Sequence, residues 1–323
     1  MGMKIIGMGN SIPKRVVAND ELAAFMDTSD EWIISKTGII SRTVCTSESL
    51  TDLAEDAARA ALSAANADIS DVDLVIGATM TGDYFTPSLA CCLLERFGSS
   101  RPNCSAYDIN AACTGFIYAL DAADSAIKAG KAKTVLIVAA EMMSRMVDWS
   151  DRTTSILFGD GACACIIAET KSDGSLKYIR TVSDAQIAPL FAKAGSGNSP
   201  FVDEKASHGL LEMQGQHVYK FAVKAVEKEI KSALSALNMQ EDDVDFFILH
   251  QANTRIIDGA RARLKLPPEK FPMNIQKYGN MSAASIPILL CEMVEDGRIT
   301  DGNTLMLIGF GAGMTAGCAV YEY

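Results

Sequence analysis

Two kinds of apolar pattern alternate along this 323-residue chain. In the first, "DLVIGA" at 73–78, "TVLIVAA" at 134–140, "ACACIIA" at 162–168, "DFFIL" at 245–249 and "TLMLIG" at 304–309 are apolar at nearly every position. In the second, stretches such as "GFIYALDAADSAIKAG" at 115–130 place apolar residues at helical spacing, and Gly130 stands where that helix would stop. Strands with no polar face must be covered on both sides. The pattern therefore predicts an α/β protein with largely parallel sheets and helices on both faces.

The chain also repeats itself. "ALSAANADISDVDLVI" at 61–76 aligns without gaps on "ALSALNMQEDDVDFFI" at 233–248, with nine of sixteen positions identical. Each copy reads as a helix end, a polar loop and a buried strand. The order continues downstream: "KTVLIVAAE" at 133 parallels "NTLMLIGFG" at 303, and "GACACIIAE" at 161 parallels "AGCAVYEY" at 316. Two similar halves are expected, residues 1–172 and 173–323, joined near "ETKSDGSLKY" at 169–178. The first carries an extra segment at about 142–158, of the kind that often builds ligand sites.

Composition narrows the class. Half the residues are apolar and a fifth charged, with no signature of disorder. No apolar run reaches the ~18 residues of a membrane span and the opening segment lacks a signal-peptide core, so a cytoplasmic protein is expected, with no membrane partner. The net charge of −11 repels nucleic acid, and an acidic partner would need a local basic patch. The nine cysteines read as reduced thiols; Cys163 and Cys165 lack neighbours to complete a zinc set, and no metal site is expected.

Three histidines are present. His208 and His217 lie in polar surroundings, whereas His250, in "DFFILHQANTRI", ends a buried strand, the place where α/β sheets present ligands. Cys113, in "DINAACTGF", sits between a strand and a helix start, where unpaired N–H groups favour thiolate. Cys91 and Cys92 fall inside an apolar helix begun by Thr86 and Pro87 and read as core. Asn280 precedes Ser282, a candidate cap, and a helix with Pro287 in its first turn. On position alone, Cys113 is reactive or structural, and Asn280 chemical or a turn residue. "GFGAGMTAG" at 309–317 fits no dinucleotide or triphosphate fingerprint, but its glycines can bring backbone N–H groups up to an oxyanion.

Taken in order, "INAACTGF", "HQANTRII", "YGNMSAASIP" and "GFGAGMTAG" resemble the β-ketoacyl-acyl-carrier-protein synthase III family of the thiolase superfamily, and the likeness spans nearly the whole chain. It implies a duplicated, five-layered α-β-α-β-α fold with mostly parallel five-stranded sheets. It also implies an acyltransferase that starts fatty-acid synthesis without a cofactor, condensing acyl-coenzyme A with malonyl-acyl-carrier protein (ACP) through an acyl-cysteine. A specialised starter synthase and a non-catalytic acyl-binding relative are the alternatives. By that resemblance Cys113 is the nucleophile, His250 and Asn280 are the enolate donors, and the N–H groups of Cys113 and Ala312 form the oxyanion hole.

The resemblance extends to "TSDEWIISKTGIISR" at 28–42 and "WSDRTTSILFGDGA" at 149–162. It implies a coenzyme A site of Thr28, Trp32, Lys36, Arg152, Gly215 and Asn253, with Trp32 and Arg152 sandwiching the adenine and Lys36 standing where the family has arginine. The acyl pocket it implies comprises Thr86, Leu157, Phe158, Met213 and Phe310, and Lys220, Arg255 and Arg263 are the implied carrier contacts. Thr86 replaces a phenylalanine that some members contribute across a homodimer, so a deeper pocket follows. Ala312 replaces a family glycine, and its N–H serves only if φ there is negative.

Overall fold

The computed structural model describes residues 2–98, 104–171, 174–193 and 209–323. The first half builds one sheet from β1 (Gly2–Ser11), β2 (Leu74–Ala78), β3 (Ser105–Ile109), β4 (Thr134–Met142) and β5 (Asp160–Thr170), in the spatial order β1-β5-β4-β2-β3. The second half builds a sheet from β6 (Leu176–Gln186), β7 (Phe246–Leu249), β8 (Thr304–Gly311) and β9 (Gly313–Glu322), in the order β6-β9-β8-β7. Strand for strand the order is the same, less the counterpart of β3. The duplication is thus a property of the topology as well as of the sequence.

Strand direction departs from the expectation of mostly parallel, five-stranded sheets. Only β2 with β3 and β4, and β7 with β8, run parallel; the β1–β5, β4–β5, β8–β9 and β6–β9 pairs are antiparallel, and the second sheet has four strands among the described residues. Unbroken apolar runs report burial on both faces and carry no information about direction. On β4, Val135, Ile137 and Ala139 face the core shared by the two sheets, and Leu136, Val138 and Ala140 face a second core outside.

Between the sheets lie α4 (Gly115–Lys128) and α7 (Ser285–Glu295). Outside the first sheet pack α2 (Leu50–Ala64) and α3 (Leu89–Arg96), and outside the second α5 (Gly215–Leu237) and α6 (Thr254–Leu264), which completes five layers. A further helix, α1 (Asp30–Thr37), covers the mouth of the site described below. No helix among the described residues is long and apolar enough to cross a membrane.

The repeated residues have repeated jobs. Asn66 and Asn238, aligned in the two copies, both follow a helix end in the left-handed region, at φ 49° and 53°, which asparagine tolerates better than most residues. Asp73 and Asp245 each accept the amide of the first residue of the adjoining strand, Thr134 at 3.1 Å and Thr304 at 2.7 Å. The identities mark where each half turns its chain and sets its strand register. α3 begins at Leu89 with Ser88 as cap, later than Thr86 and Pro87 suggested, and of its two cysteines only Cys92 is buried.

Candidate active site

Cys113 occupies a single 3-10 turn, Ala112–Thr114, that leads into α4. Gly311 closes over it from the end of β8; a Cβ there would lie 3.0 Å from both the Cys113 Cβ and its backbone N, so any larger residue would press on the Cys113 turn. Beyond Gly311 the chain reverses through Ala312. Positive φ occurs at Gly313 and Met314 but not at Ala312, the condition under which an alanine keeps its N–H available there.

His250 leaves the end of β7, its N–H donating to Ile308 O at 2.8 Å, so pairing with β8 aims the residue at the cavity. Its ring meets Phe310 edge-on at 5.2 Å. Asn280 is held by its backbone, whose N–H donates to Leu157 O at 2.8 Å, and by its side-chain Oδ1, which accepts the Ser282 N–H at 2.9 Å. With Oδ1 taken, the amide NH2 is the group left for the cavity. Ser282 is therefore no helix cap: it begins a second 3-10 turn, Ser282–Ala284, before α7, and its hydroxyl is buried without a partner.

A buried polar network fastens the two donor loops together. Gln251, next to His250, donates to Leu249 O and accepts the Asn274 N–H. Asn274 donates to Glu292 at 2.8 Å, and Tyr278, two residues before Asn280, donates to the same carboxylate at 2.6 Å. Gln251, Asn274, Tyr278 and Glu292 went unnoticed in the sequence because only the fold brings them together.

Burial sets the protonation of the site. It pushes the Cys113 thiol up to about 12; the Ser282 hydroxyl opposes that rise and the Glu141 charge adds to it. The N–H groups of the turn act in the expected direction, but burial outweighs them. Burial also lowers His250 to about 3, so its imidazole is neutral at physiological pH.

Cys113, His250 and Asn280 line one cavity of about 520 Å3. Of the other expected residues, Ala312, Trp32, Lys36, Arg152, Gly215, Asn253, Leu157, Phe158, Met213, Phe310, Lys220 and Arg255 line it too. Thr28, Thr86 and Arg263 do not. Thr28 is half-buried beside α1, Thr86 is exposed on the loop before α3, and Arg263 pairs with Glu227 of α5 at 3.3 Å. His217 is exposed in the first turn of α5, and His208 lies outside the described residues.

At the mouth, the Arg152 guanidinium lies over the Trp32 ring at 4.8 Å and donates to Asp27 O. That is less than the roughly 7 Å two stacking contacts need, so an intervening ring requires Arg152 to swing away. Asn253 caps α6 through Arg255 N–H and donates to Lys36 O at 3.1 Å, tying α6 to the end of α1.

The same sites can be set beside known proteins. Family models described as 3-oxoacyl-[acyl-carrier-protein (ACP)] synthase III and as its C terminal match residues 107–185 and 234–323. The β-ketoacyl-[acyl-carrier-protein] synthase III of Clostridium perfringens is 44% identical over 321 residues, 99% of this chain and 98% of that relative. The crystal structure of 3-oxoacyl-[acyl-carrier-protein] synthase III from Aquifex aeolicus superposes with a TM-score of 0.92 over all of both chains, at 40% identity. The priming β-ketosynthase of the R1128 polyketide pathway superposes equally well, TM-score 0.92, at 32% identity over 99% of this chain and 96% of that one. With both halves matched by the family models and a relative 44% identical over 99% of its length, the chain belongs to the β-ketoacyl-acyl-carrier-protein synthase III family of condensing enzymes.

Proposed function

We propose that this chain condenses an acyl-coenzyme A primer with malonyl-ACP to begin fatty-acid synthesis, with Cys113 as nucleophile. The observation that carries the reading is the convergence of Cys113, a neutral His250 and the Asn280 amide on one cavity. Cys113 takes the acyl group as a thioester and releases coenzyme A. Decarboxylation of the malonyl group then leaves negative charge on its thioester oxygen, where the His250 and Asn280 N–H donors stabilise it as it develops. The enolate carbon attacks the acyl-Cys113, whose tetrahedral oxygen is held by the N–H groups of Cys113 and Ala312. Side chains and amides of this chain carry every step; acyl-coenzyme A and malonyl-ACP enter as substrates.

Coenzyme A would enter by the mouth formed by Trp32, Lys36, Arg152, Gly215 and Asn253, once Arg152 swings off Trp32. Leu157, Phe158, Met213 and Phe310 give the acyl chain apolar walls. For the carrier, Lys220 and Lys224 border an open depression of about 690 Å3 beside the cavity and Arg255 lies at the mouth, while Arg263 is engaged with Glu227. Lys220→Ala should raise the KM for ACP several-fold, and Arg263→Ala should leave it within twofold.

Thr86 reads best in a homodimer. It follows Phe85, which is 91% exposed, and the loop stands near the unpaired edge of the first sheet, where β3 is outermost. A second copy joined along that edge would bring Thr86 to the partner's pocket. The nine cysteines are all free, which suits the cytoplasm.

The test is a condensation assay with malonyl-ACP and acyl-coenzyme A primers from C2 to C12, straight and branched. A β-ketoacyl-ACP product made from primers longer than acetyl is expected. Activity with acetyl alone refutes the Thr86 reading, and no product with any primer refutes the function. A strong preference for one unusual primer would favour a specialised starter synthase, the role of the 32% identical polyketide relative.

A further inference from the structure

Glu141 is wholly buried beside the cavity and has no part in the mechanism above. It continues the inward alternation of β4 after Val135, Ile137 and Ala139, so its side chain enters the layer that holds the Cys113 and Ser282 turns. One carboxylate oxygen, Oε2, accepts from Thr81 Oγ1 at 2.6 Å, Thr79 Oγ1 at 3.2 Å and Met80 N–H at 3.2 Å. The other, Oε1, is buried with no partner, and no cation pairs with it among the described residues.

Ser282 Oγ is also buried with no partner of hydrogen-bond geometry. Its turn packs against both β4 and the Cys113 turn. The hydroxyl opposes the rise that burial imposes on both the Cys113 thiol and the Glu141 carboxyl. Ser282 stands at φ 47°, a left-handed conformation that a serine seldom adopts and that is retained where the surroundings fix it. Two unpartnered buried polar atoms thus lie among the elements that hold the Cys113 turn.

We propose that Glu141 takes the proton of Cys113 through the Ser282 hydroxyl during acylation and returns it when condensation releases the thiolate. This rests on Cys113 being the nucleophile. In acylation the thiol proton passes to Ser282 Oγ as the hydroxyl proton passes to Glu141 Oε1. The sulfur bonds to the acyl carbon, the bond from that carbon to the coenzyme A sulfur breaks, and the departing thiolate is protonated by solvent. In condensation the malonyl C–C bond breaks to give carbon dioxide and the enolate. The enolate carbon bonds to the acyl carbon, the Cys113 C–S bond breaks, and the thiolate recovers its proton by the same path.

The environment suits a proton holder. Burial raises Glu141 to about 7, with the Thr81, Met80, Ser282 and Thr79 donors opposing the rise. The other titratable groups nearby are engaged or neutral: Asp160 of β5 accepts from Ser144 and the Cys45 amide, Asp108 of β3 accepts the first amides of α3, and His250 is neutral. The Glu141 charge acts on Cys113, raising its thiol.

The test is the rate of Cys113 acylation by acyl-coenzyme A, followed by intact mass from pH 5.5 to 9, in the wild type, Glu141→Gln and Ser282→Ala. The wild-type rate should rise through an inflection near pH 7. Both variants should lose that inflection and acylate at least tenfold more slowly at pH 8. Ser282→Ala should fold, since Ala112 holds the same φ of 47° in the companion turn, so it carries the test if Glu141→Gln does not fold. An inflection that persists in Ser282→Ala, or a wild-type profile without one, overturns the proposal while Cys113 remains the nucleophile. A wild type that takes no acyl group overturns the nucleophile itself.

Discussion

The turns Asn110–Gly115 and Asn280–Ser285 occupy the same place in the two halves and have nearly the same backbone. Ala111 and Met281 stand at φ −125°, ψ 30° and φ −102°, ψ 30°; Ala112 and Ser282 share φ 47°; Gly115 and Ser285 enter their helices at −51°, −41° and −59°, −45°. The side chains differ. The first turn has Cys113 where the second has Ala283. The strand end opposite the first turn is Gly311, which admits the thiol and an oxyanion, and the matching position of β4 is Glu141. Asn280 is buried and aimed by Ser282, while Asn110 is exposed and accepts the Ala112 N–H only at 3.4 Å. The two halves share one scaffold, and a few exchanged side chains separate the proposed nucleophile from the proposed enolate donor.

That division can be broken most severely at the thiol. Cys113→Ala should lower acylation and condensation by more than a thousandfold, on the scale of losing a covalent nucleophile. Adding Ala283→Cys to it should restore neither, because the introduced thiol would face Glu141 rather than Gly311 and Ala312. The measurement is acyl transfer by mass and product formation by chromatography. Next in size, Asn280→Ala should lower condensation by about 10²–10³-fold with acylation nearly unchanged, the cost of removing one preorganised donor, whereas Asn110→Ala should change neither by more than twofold. Gly311→Ala presses a methyl group onto Cys113, so acylation should fall about tenfold and unfolding in urea should show a loss of about 1–3 kcal/mol.

The smallest effect concerns pH. Burial lowers His250 from its ordinary value of 6.5 to about 3, so it stays a neutral donor at every working pH. Malonyl decarboxylation followed from pH 8 to 5 should show no acid limb near 6.5. The sign for stability is fixed by the same shift: below 6.5 the unfolded chain takes up the proton that the folded chain refuses, so this residue's contribution is present above 6.5 and is lost as pH falls toward 3.

Much of this was legible in the sequence, because the informative residues keep their neighbours. Asn66 with Asn238 and Asp73 with Asp245 repeat at fixed spacing, and the motifs around Cys113, His250 and Asn280 each fix a strand end and a turn. Strand direction was not legible, since two-sided burial makes parallel and antiparallel strands look alike. Neither was the protonation of the thiol: the helix-start position favours thiolate, but the depth of Cys113 beneath Gly311 and beside Glu141 is a property of the assembled halves. The network from Gln251 to Glu292, and Glu141 with Ser282, join residues from distant segments whose types are ordinary wherever they are read singly.

Of the nine free cysteines, Cys113 alone is expected to carry the acyl group. Intact mass and peptide mapping after incubation with acyl-coenzyme A test it most directly. One acyl group per chain, located on Cys113, is expected in the wild type and equally in His250→Ala. An unmodified chain, or an adduct on any other cysteine, would contradict it.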